Sequence, residues 1–571
     1  MKITKYMKGN MKSAILAPLF IIIDTAAMIT IPFFTSKIMD IGIPNNDQAY
    51  IIKTGLYMIV VAIISMLGGF LAMYHSSKAA YGFGANLRKD LMEKIQSFSF
   101  SNINKYGTAS LITRMTNDVE ILVQLVQMCL RMAIRTPVML IGGVIMMITM
   151  SPKIALLFLI LIPILIITMT VVITKSFPLF KIVQEKIDKV NSVIRENLIG
   201  ARVVKSFVRQ EYEIDRFGNA NSELMDTTIK SFNIMIILMP MVTLIMNLSI
   251  AAVLWVGASG YIEVGAISAS ITYMTMTLMS LMMFSMIFMN FSRAKASYDR
   301  IGNVLDENPD IKNKEKCETK EIKKGEVEFN VEEFSFKDSK GEAILNNVKF
   351  KVKPGEMVAI IGSTGTGKST MVNLIPRFYD ATKGYVKVDG IDVKDYDIKT
   401  LRDSIGMVLQ ENRLFAGTIE ENIRWGKKDA TLEEIKHACK VAQIDEYIEG
   451  LPDKYNSRVE ERGANFSGGQ KQRLTIARAL VKKPKILILD DSVSALDSTT
   501  ELHLRKALRE EFKDTTIFMI VQKISSCKEV DRVLVMDDGT IVGNGTHAEL
   551  INTNEVYQEI NNSQKEVMPE E

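Results

Sequence analysis

A chain of 571 residues with 69 Lys and Arg against 65 Asp and Glu, net charge +4, is too long for one ordinary core and too evenly charged for a nucleic-acid-binding arm. Its four cysteines, Cys129, Cys317, Cys439 and Cys527, lack the spacing of a zinc site or a redox pair, and its four histidines, His75, His437, His503 and His547, never cluster. The composition argues against nucleic acid as a partner and against a histidine-bound metal centre.

Apolar residues crowd the first half of the chain. Long greasy stretches run from about Lys12 to Lys37, Gly55 to Tyr74, Leu130 to Met150, Ile154 to Thr174, Asn233 to Trp255 and Ala266 to Phe291. Each approaches the ~20 residues that a helix needs to cross ~30 Å of hydrocarbon, so residues 1–306 are expected to form an all-α transmembrane domain of six helices. Lys2, Lys5, Lys8 and Lys12 lead the first span without a small-residue cleavage site. The second-to-third connection carries Lys78, Arg88, Lys89, Lys94, Lys105 and Arg114, and the fourth-to-fifth carries nine cations from Lys175 to Arg216. Cations gather on the cytoplasmic side, which predicts a multi-pass protein of the cytoplasmic membrane with both termini inside. The connections around Pro44, Ser151 and Gly260 are short and face out.

Charges within the spans are expensive. Asp24 is expected to face a cavity or to pair with a cation, Arg131 and Arg135 equally to snorkel to headgroups, and Asp40 and Glu263 to form an acidic outer rim. The fifth and sixth spans are rich in methionine: Met235, Met239, Met241, Met246, Met274, Met276, Met279, Met282, Met283, Met286 and Met289. Methionine is flexible and polarizable, suited to adaptable apolar walls and equally to ordinary packing.

Both cytoplasmic connections show helical spacing, through Leu87, Leu91 and Ile95 and through Val190, Ile194 and Leu198, so the membrane helices are expected to continue as intracellular rods. A polar stretch at residues 307–324 reads as a linker. Beyond it, residues 325–571 alternate strands and helices as an α/β domain does, starting with Glu326 to Phe329 and Ala343 to Val352.

The buried strand Met357-Val358-Ala359-Ile360-Ile361 runs directly into Gly362-Ser363-Thr364-Gly365-Thr366-Gly367-Lys368-Ser369-Thr370, a P-loop. Its glycines free backbone N–H groups to wrap phosphates, Lys368 reaches the terminal phosphates, Ser369 offers a hydroxyl to Mg²⁺, and the helix behind points its positive end at the anion. The strand Ile486-Leu487-Ile488-Leu489 ends in Asp490, a carboxylate placed to hold Mg²⁺ through water.

Phe466-Ser467-Gly468-Gly469-Gln470-Lys471-Gln472-Arg473 resembles the signature of ABC proteins, with Phe where Leu is commoner. Gln410 after Met407-Val408-Leu409 resembles their Q-loop, and Ser494-Ala495-Leu496-Asp497 their D-loop. Residues 110–118 and 196–207 resemble the coupling segments of type IV ABC exporters, and the likeness spans essentially the whole chain. It implies ATP and Mg²⁺ as ligands, with Ser369, Gln410 and Asp490 on the metal. It implies that Ser467 and its neighbours cap ATP bound to a second subunit. Phe336, where Tyr is commoner, would stack on adenine.

Two departures fall at the hydrolytic centre. Asp491 stands where a hydrolysing ABC site has Glu, and Gln522 stands where the family has His. Asp is one methylene short of a base that must come within about 3 Å of its water, and an amide takes up no proton. The resemblance is therefore to the degenerate-site subunit of heterodimeric bacterial multidrug exporters. The implied partner is a half-transporter with an intact Glu and His. The implied cargo is a drug or lipid, an amphipathic or hydrophobic small molecule in contact with membrane lipid. A slow homodimeric exporter and an ATP-gated regulator or channel are the alternatives.

Overall fold

The computed structural model describes residues 2–259, 262–336 and 342–567; the connection expected at Gly260 lies outside them, as do the side chains of Met235, Met286 and Met289. The chain divides into two compact units, Met1–Glu93 with Ile112–Asp306, and Lys94–Leu111 with Glu307–Glu571.

In the first unit the principal helices are Met11–Lys37, Gln48–Gln96, Val119–Met150, Pro152–Ile199, Gln210–Ile236 with Leu238–Ser259, and Val264–Asp306. Five stretches among the described residues are long and apolar enough to cross a membrane: Met11–Gly42, Gln48–Gln96, Thr108–Met150, Gln210–Ala258 and Val264–Met283. A shorter apolar stretch, Pro152–Thr168, heads the helix that ends at Ile199. Large apolar side chains point outward along these spans, with Ile52 72% and Phe70 67% exposed. Water would penalise such a surface, whereas lipid accepts it. At about 1.5 Å per residue the 49-residue helix Gln48–Gln96 is over twice the hydrocarbon thickness, so it does continue as the rod its spacing predicts. The connection at Ser151 is one residue long and leaves the fourth helix to start on Pro152, where the missing N–H costs nothing.

The first, third and sixth spans pack through small residues. A Cβ on Gly143 would stand 2.6 Å from Oγ1 of Thr277, and one on Gly265 would stand 2.4 Å from the carbonyl oxygen of Ser36. Tyr273, fully buried, donates its hydroxyl to the Ile29 carbonyl at 2.9 Å. Asp40, just past the first long helix, is held by a backbone amide. Its carboxylate accepts the Gly265 N–H at 2.6 Å, where the first turn of the last membrane helix has no internal partner for its amides. Past the spans, the buried Asp118 accepts from Ser297 Oγ at 2.9 Å and Arg300 Nε at 2.8 Å.

The second unit is built on a six-stranded sheet in the order Thr540–Gly545, Arg532–Asp537, Met357–Ile361, Thr516–Ile520, Ile486–Asp490, Ile405–Val408. All neighbours run parallel except the hairpin between the first two. The strands at 357–361, 486–490 and 516–520 are buried at every residue, which is why each reads as an unbroken apolar run. A four-stranded antiparallel sheet accompanies it, in the order Leu345–Val352, Val327–Phe334, Lys383–Val388, Ile391–Asp392.

The tip of the connection between the second and third spans belongs to this unit. Ser99 and Asn102 cap the helix Phe100–Tyr106 reciprocally, and the Phe100 ring sits 4.7 Å from that of Phe378. Glu307 gathers Lys105 Nζ at 2.8 Å and Tyr106 OH at 2.7 Å, and these two donors hold its carboxyl below the usual glutamate range.

Candidate functional site

Parallel packing carries the carboxyl ends of three central strands to one edge of the sheet, and each end delivers a polar group. Ile361 leads into the P-loop, the next strand but one ends in Asp490, and the strand between them ends just before Gln522. The P-loop turns on Gly365 and Gly367, both at φ 90°, a conformation that side chains with a Cβ resist. The helix Lys368–Asn373 follows at once.

Lys368 curls back over the loop and donates to the carbonyls of Gly362 at 2.8 Å and Ser363 at 2.6 Å. Burial lowers its pKa, while the carboxylates of Asp491 and Asp490 pull it the other way. Ser369 donates to Asp490 Oδ1 at 2.7 Å. Burial raises the Asp490 carboxyl, opposed by that hydrogen bond. Thr366 braces the loop from behind, its hydroxyl on the Ser363 carbonyl at 3.0 Å.

A cavity of about 630 Å³ opens over these groups. Gly362, Ser363, Thr364, Gly365, Gly367, Lys368, Ser369 and Thr370 form its floor, and Gln410, Asp491 and Gln522 stand on its walls. The two residues that depart from a hydrolytic pattern are bonded to each other: Gln522 Nε2 donates to Asp491 Oδ2 at 2.8 Å. Asp491 sits at φ 50°, which Asp tolerates better than Glu. Its carbonyl accepts from Gln472 Nε2 at 3.3 Å and from Ser494 Oγ at 3.0 Å, tying it to the signature helix and the D-loop.

Donors and acceptors here suit a nucleoside triphosphate with Mg²⁺. Gly365 has open space where a Cβ would stand, leaving room for phosphate oxygens, and Lys368 supplies the cation. Asp491 Oδ1 is buried with no hydrogen-bond partner among the described residues, an acceptor awaiting a donor. Ser369, Asp490 and Gln410 are the groups that would hold the metal.

Other expected residues lie elsewhere. Ser467 caps the 13-residue helix Gly468–Leu480, exchanging bonds with Gln470, and Phe466 is buried against Tyr447. Asp497 caps the helix Ser498–Glu511 through the Thr500 N–H at 2.9 Å, and a Cβ on Gly469 would approach the Ala495 carbonyl at 3.2 Å. None of Phe466, Ser467, Gly468, Gly469, Gln470, Ser494, Ala495, Leu496 and Asp497 lines the P-loop cavity. Phe336 does not line it either. Its ring stands edge-on to Phe334 and Tyr379, each at 5.1 Å, in a neighbouring hollow, while Ile344 borders the P-loop cavity.

Sequence reasoning missed one contributor. The helix Glu555–Val567 brings Ile560, Ser563 and Gln564 to the cavity wall. Gln564 accepts the Ile524 N–H at 2.9 Å and donates to the Gln522 carbonyl at 2.7 Å, bracing the segment from Gln522 to Ile524 from both sides. No spacing within the sequence announces a bond across 42 residues. Two such bonds at about 1 kcal/mol each predict that Gln564→Ala speeds hydrogen exchange of the Ile524 amide about 10-fold or more, read by mass spectrometry; unchanged exchange refutes the brace.

In the first unit Asp24 does find its cation. Arg135 Nη1 lies 3.5 Å from Asp24 Oδ2, and Ser65 Oγ donates to Asp24 Oδ1 at 2.6 Å. Arg135 is thus tied to a carboxylate inside the bundle rather than snorkelling to headgroups.

The pattern of the ABC transporter transmembrane region matches residues 14–286, and a second pattern, described as ABC transporter, matches residues 345–494. The ABC transporter ATP-binding protein YfiB of Bacillus subtilis (strain 168), itself uncharacterized, is 40% identical over 99% of this chain and 98% of its own. YgaD of the same organism, provisionally named a multidrug export ATP-binding/permease protein, is 31% identical over 97% of both chains. A bacterial Atm1-family ABC exporter solved with ATP bound superposes with a TM-score of 0.81 at 24% identity, covering 98% of this chain and 99% of the other, a likeness of fold. With a helical membrane unit and a P-loop unit in one polypeptide, and relatives matched end to end, the chain belongs to the ABC transporter family and is a transport ATPase.

Proposed function

We propose that this chain is the degenerate-site subunit of a heterodimeric exporter of amphipathic compounds in the cytoplasmic membrane, with both termini inside. The observation that carries the reading is the Gln522–Asp491 hydrogen bond. The carboxylate that would act as base is one methylene short and already engaged by an amide, and that amide has no proton equilibrium to offer near neutral pH. ATP therefore binds at Lys368 and is hydrolysed slowly. Mg²⁺, when bound, supplies charge neutralisation to the phosphates; Ser369, Asp490 and Gln410 hold its place, and the P-loop amides orient the anion.

A second protomer is supported by two further features. The signature residues stand apart from this chain's own P-loop cavity, so their helix end is free to face another subunit's nucleotide. The second intracellular connection ends in exposed apolar residues, with Ile199 80% and Phe207 74% exposed, beyond the apolar spans where lipid would cover them. The name of YgaD supports a drug-like cargo.

Purified alone, the chain is expected to bind a fluorescent ATP analogue yet turn over ATP near background. Co-expression with a half-transporter that carries Glu and His at the corresponding positions is expected to restore turnover and ATP-driven dye uptake into inverted vesicles. Brisk hydrolysis by the lone chain defeats the obligate-partner reading.

A further inference from the structure

Within the membrane unit, the first, third and sixth spans enclose a cavity of about 370 Å³. Its walls are apolar and soft: Met28, Met132, Met139, Met276, Met279 and Met283 line it. Two guanidinium groups enter the same space, Arg131 and Arg135. Their situations differ. Arg135 is neutralised by Asp24 at 3.5 Å. Arg131, one helical turn away on the same face, has no ion pair or hydrogen bond among the described residues. Two cations and one anion leave one positive charge uncompensated at the edge of an apolar chamber inside the spans. Isolated charge in that setting is costly and marks a place where a counter-ion is expected.

We propose that this cavity binds an amphiphile with an anionic head, its carboxylate or phosphate on Arg131 and its apolar body along the methionine wall. A guanidinium offers paired N–H donors that match the oxygens of either head, and it cannot escape its charge by losing a proton. Methionine side chains adapt to bodies of differing shape, so the head supplies the selectivity and the wall does not. A cationic amphiphile is disfavoured, since it would leave Arg131 unpaired and add a like charge. The inference rests on the export reading for its consequence, transport, but the binding it describes stands or falls separately.

The test uses the full chain in phosphatidylcholine nanodiscs with two fluorescent probes of equal length, dansyl-undecanoic acid and its methyl ester. Wild type is expected to bind the acid about 10- to 100-fold more tightly than the ester, the range of a charge-assisted hydrogen bond. Arg131→Ala is expected to lower acid affinity to that of the ester while ester affinity holds, which also certifies the fold; Arg131→Lys keeps most of the preference. Equal binding of acid and ester by wild type overturns the proposal. So does an Ala variant that keeps the preference, or one that loses both probes together. Displacement of the acid probe by phosphatidylglycerol doped into the disc assigns a lipid as source, and displacement by soluble laurate assigns a free amphipathic acid; failure of both to displace it overturns the assignment. ATP-driven uptake of the ester without acid preference leaves export standing and removes this inference. Acid-selective binding without ATP-driven movement does the reverse.

Discussion

Replacing Asp491 by Glu together with Gln522 by His raises ATP turnover at this chain's own site by about 10² to 10⁴-fold, the worth of a positioned general base. The two residues satisfy each other at 2.8 Å, so changing either alone leaves the other half of the pair in the way. With Asp491→Glu alone, the longer carboxylate would still be engaged by the amide, and with Gln522→His alone, the imidazole would face a carboxylate too short to reach water. The two substitutions are therefore strongly non-additive. Holding Glu at φ 50° costs about 1 kcal/mol, small against the barrier change. The measurement is ATP turnover of the pair after the partner's catalytic Glu is changed to Gln. A double variant no faster than its parent sinks the degenerate-site reading.

The second large effect concerns the helix that begins at Gly468. No atom lies within 4 Å of where a Cβ would stand there, so Gly468→Asp introduces a carboxylate without a clash. An acid in the first turn complements the helix dipole and stabilises by about 0.5 kcal/mol. If the end of this helix caps a phosphate held by a partner, the same carboxylate repels it at short range. Loss of one well-placed donor to a developing negative charge already costs about 10² to 10³ in rate. The assembled transporter is thus expected to lose ATPase activity about 10²-fold or more, while the variant melts no lower than its parent. Full activity in the Gly468→Asp variant would mean that this helix end never meets nucleotide.

Much of the nucleotide-binding unit was legible because its signals are local. An apolar run of five residues followed by glycines, Lys and Ser leaves few folds open, and the structure puts Lys368, Ser369 and Asp490 at one sheet edge as that pattern requires. Long apolar stretches likewise announced helices, since each must satisfy its backbone internally. What stayed hidden depends on direction. A helix that is apolar all round gives no periodicity to say which side faces a cavity, so Arg135 could not be told from a snorkelling residue, and Met28, Met132 and Met139 drew no attention beside the denser methionines of the later spans. Nor did anything near Asp40 in the sequence announce its bond to a helix end more than two hundred residues away. Phe336 carried the expected ring, but ring identity does not fix which of two adjoining hollows it enters.

At Gly265 a hydrogen is all that fits where a side chain would meet the Ser36 carbonyl at 2.4 Å and Asp40 Oδ2 at 2.5 Å, and backbone oxygen cannot step aside as a flexible side chain can. The codon at this position is therefore frozen, since even alanine would prise two spans apart. Leu19 and Ile23, both exposed on the first helix, are under no such restraint and can be traded for other oily residues over generations. Inherited variation in the membrane half should thus pool on its outer skin and avoid the seam beside Asp40.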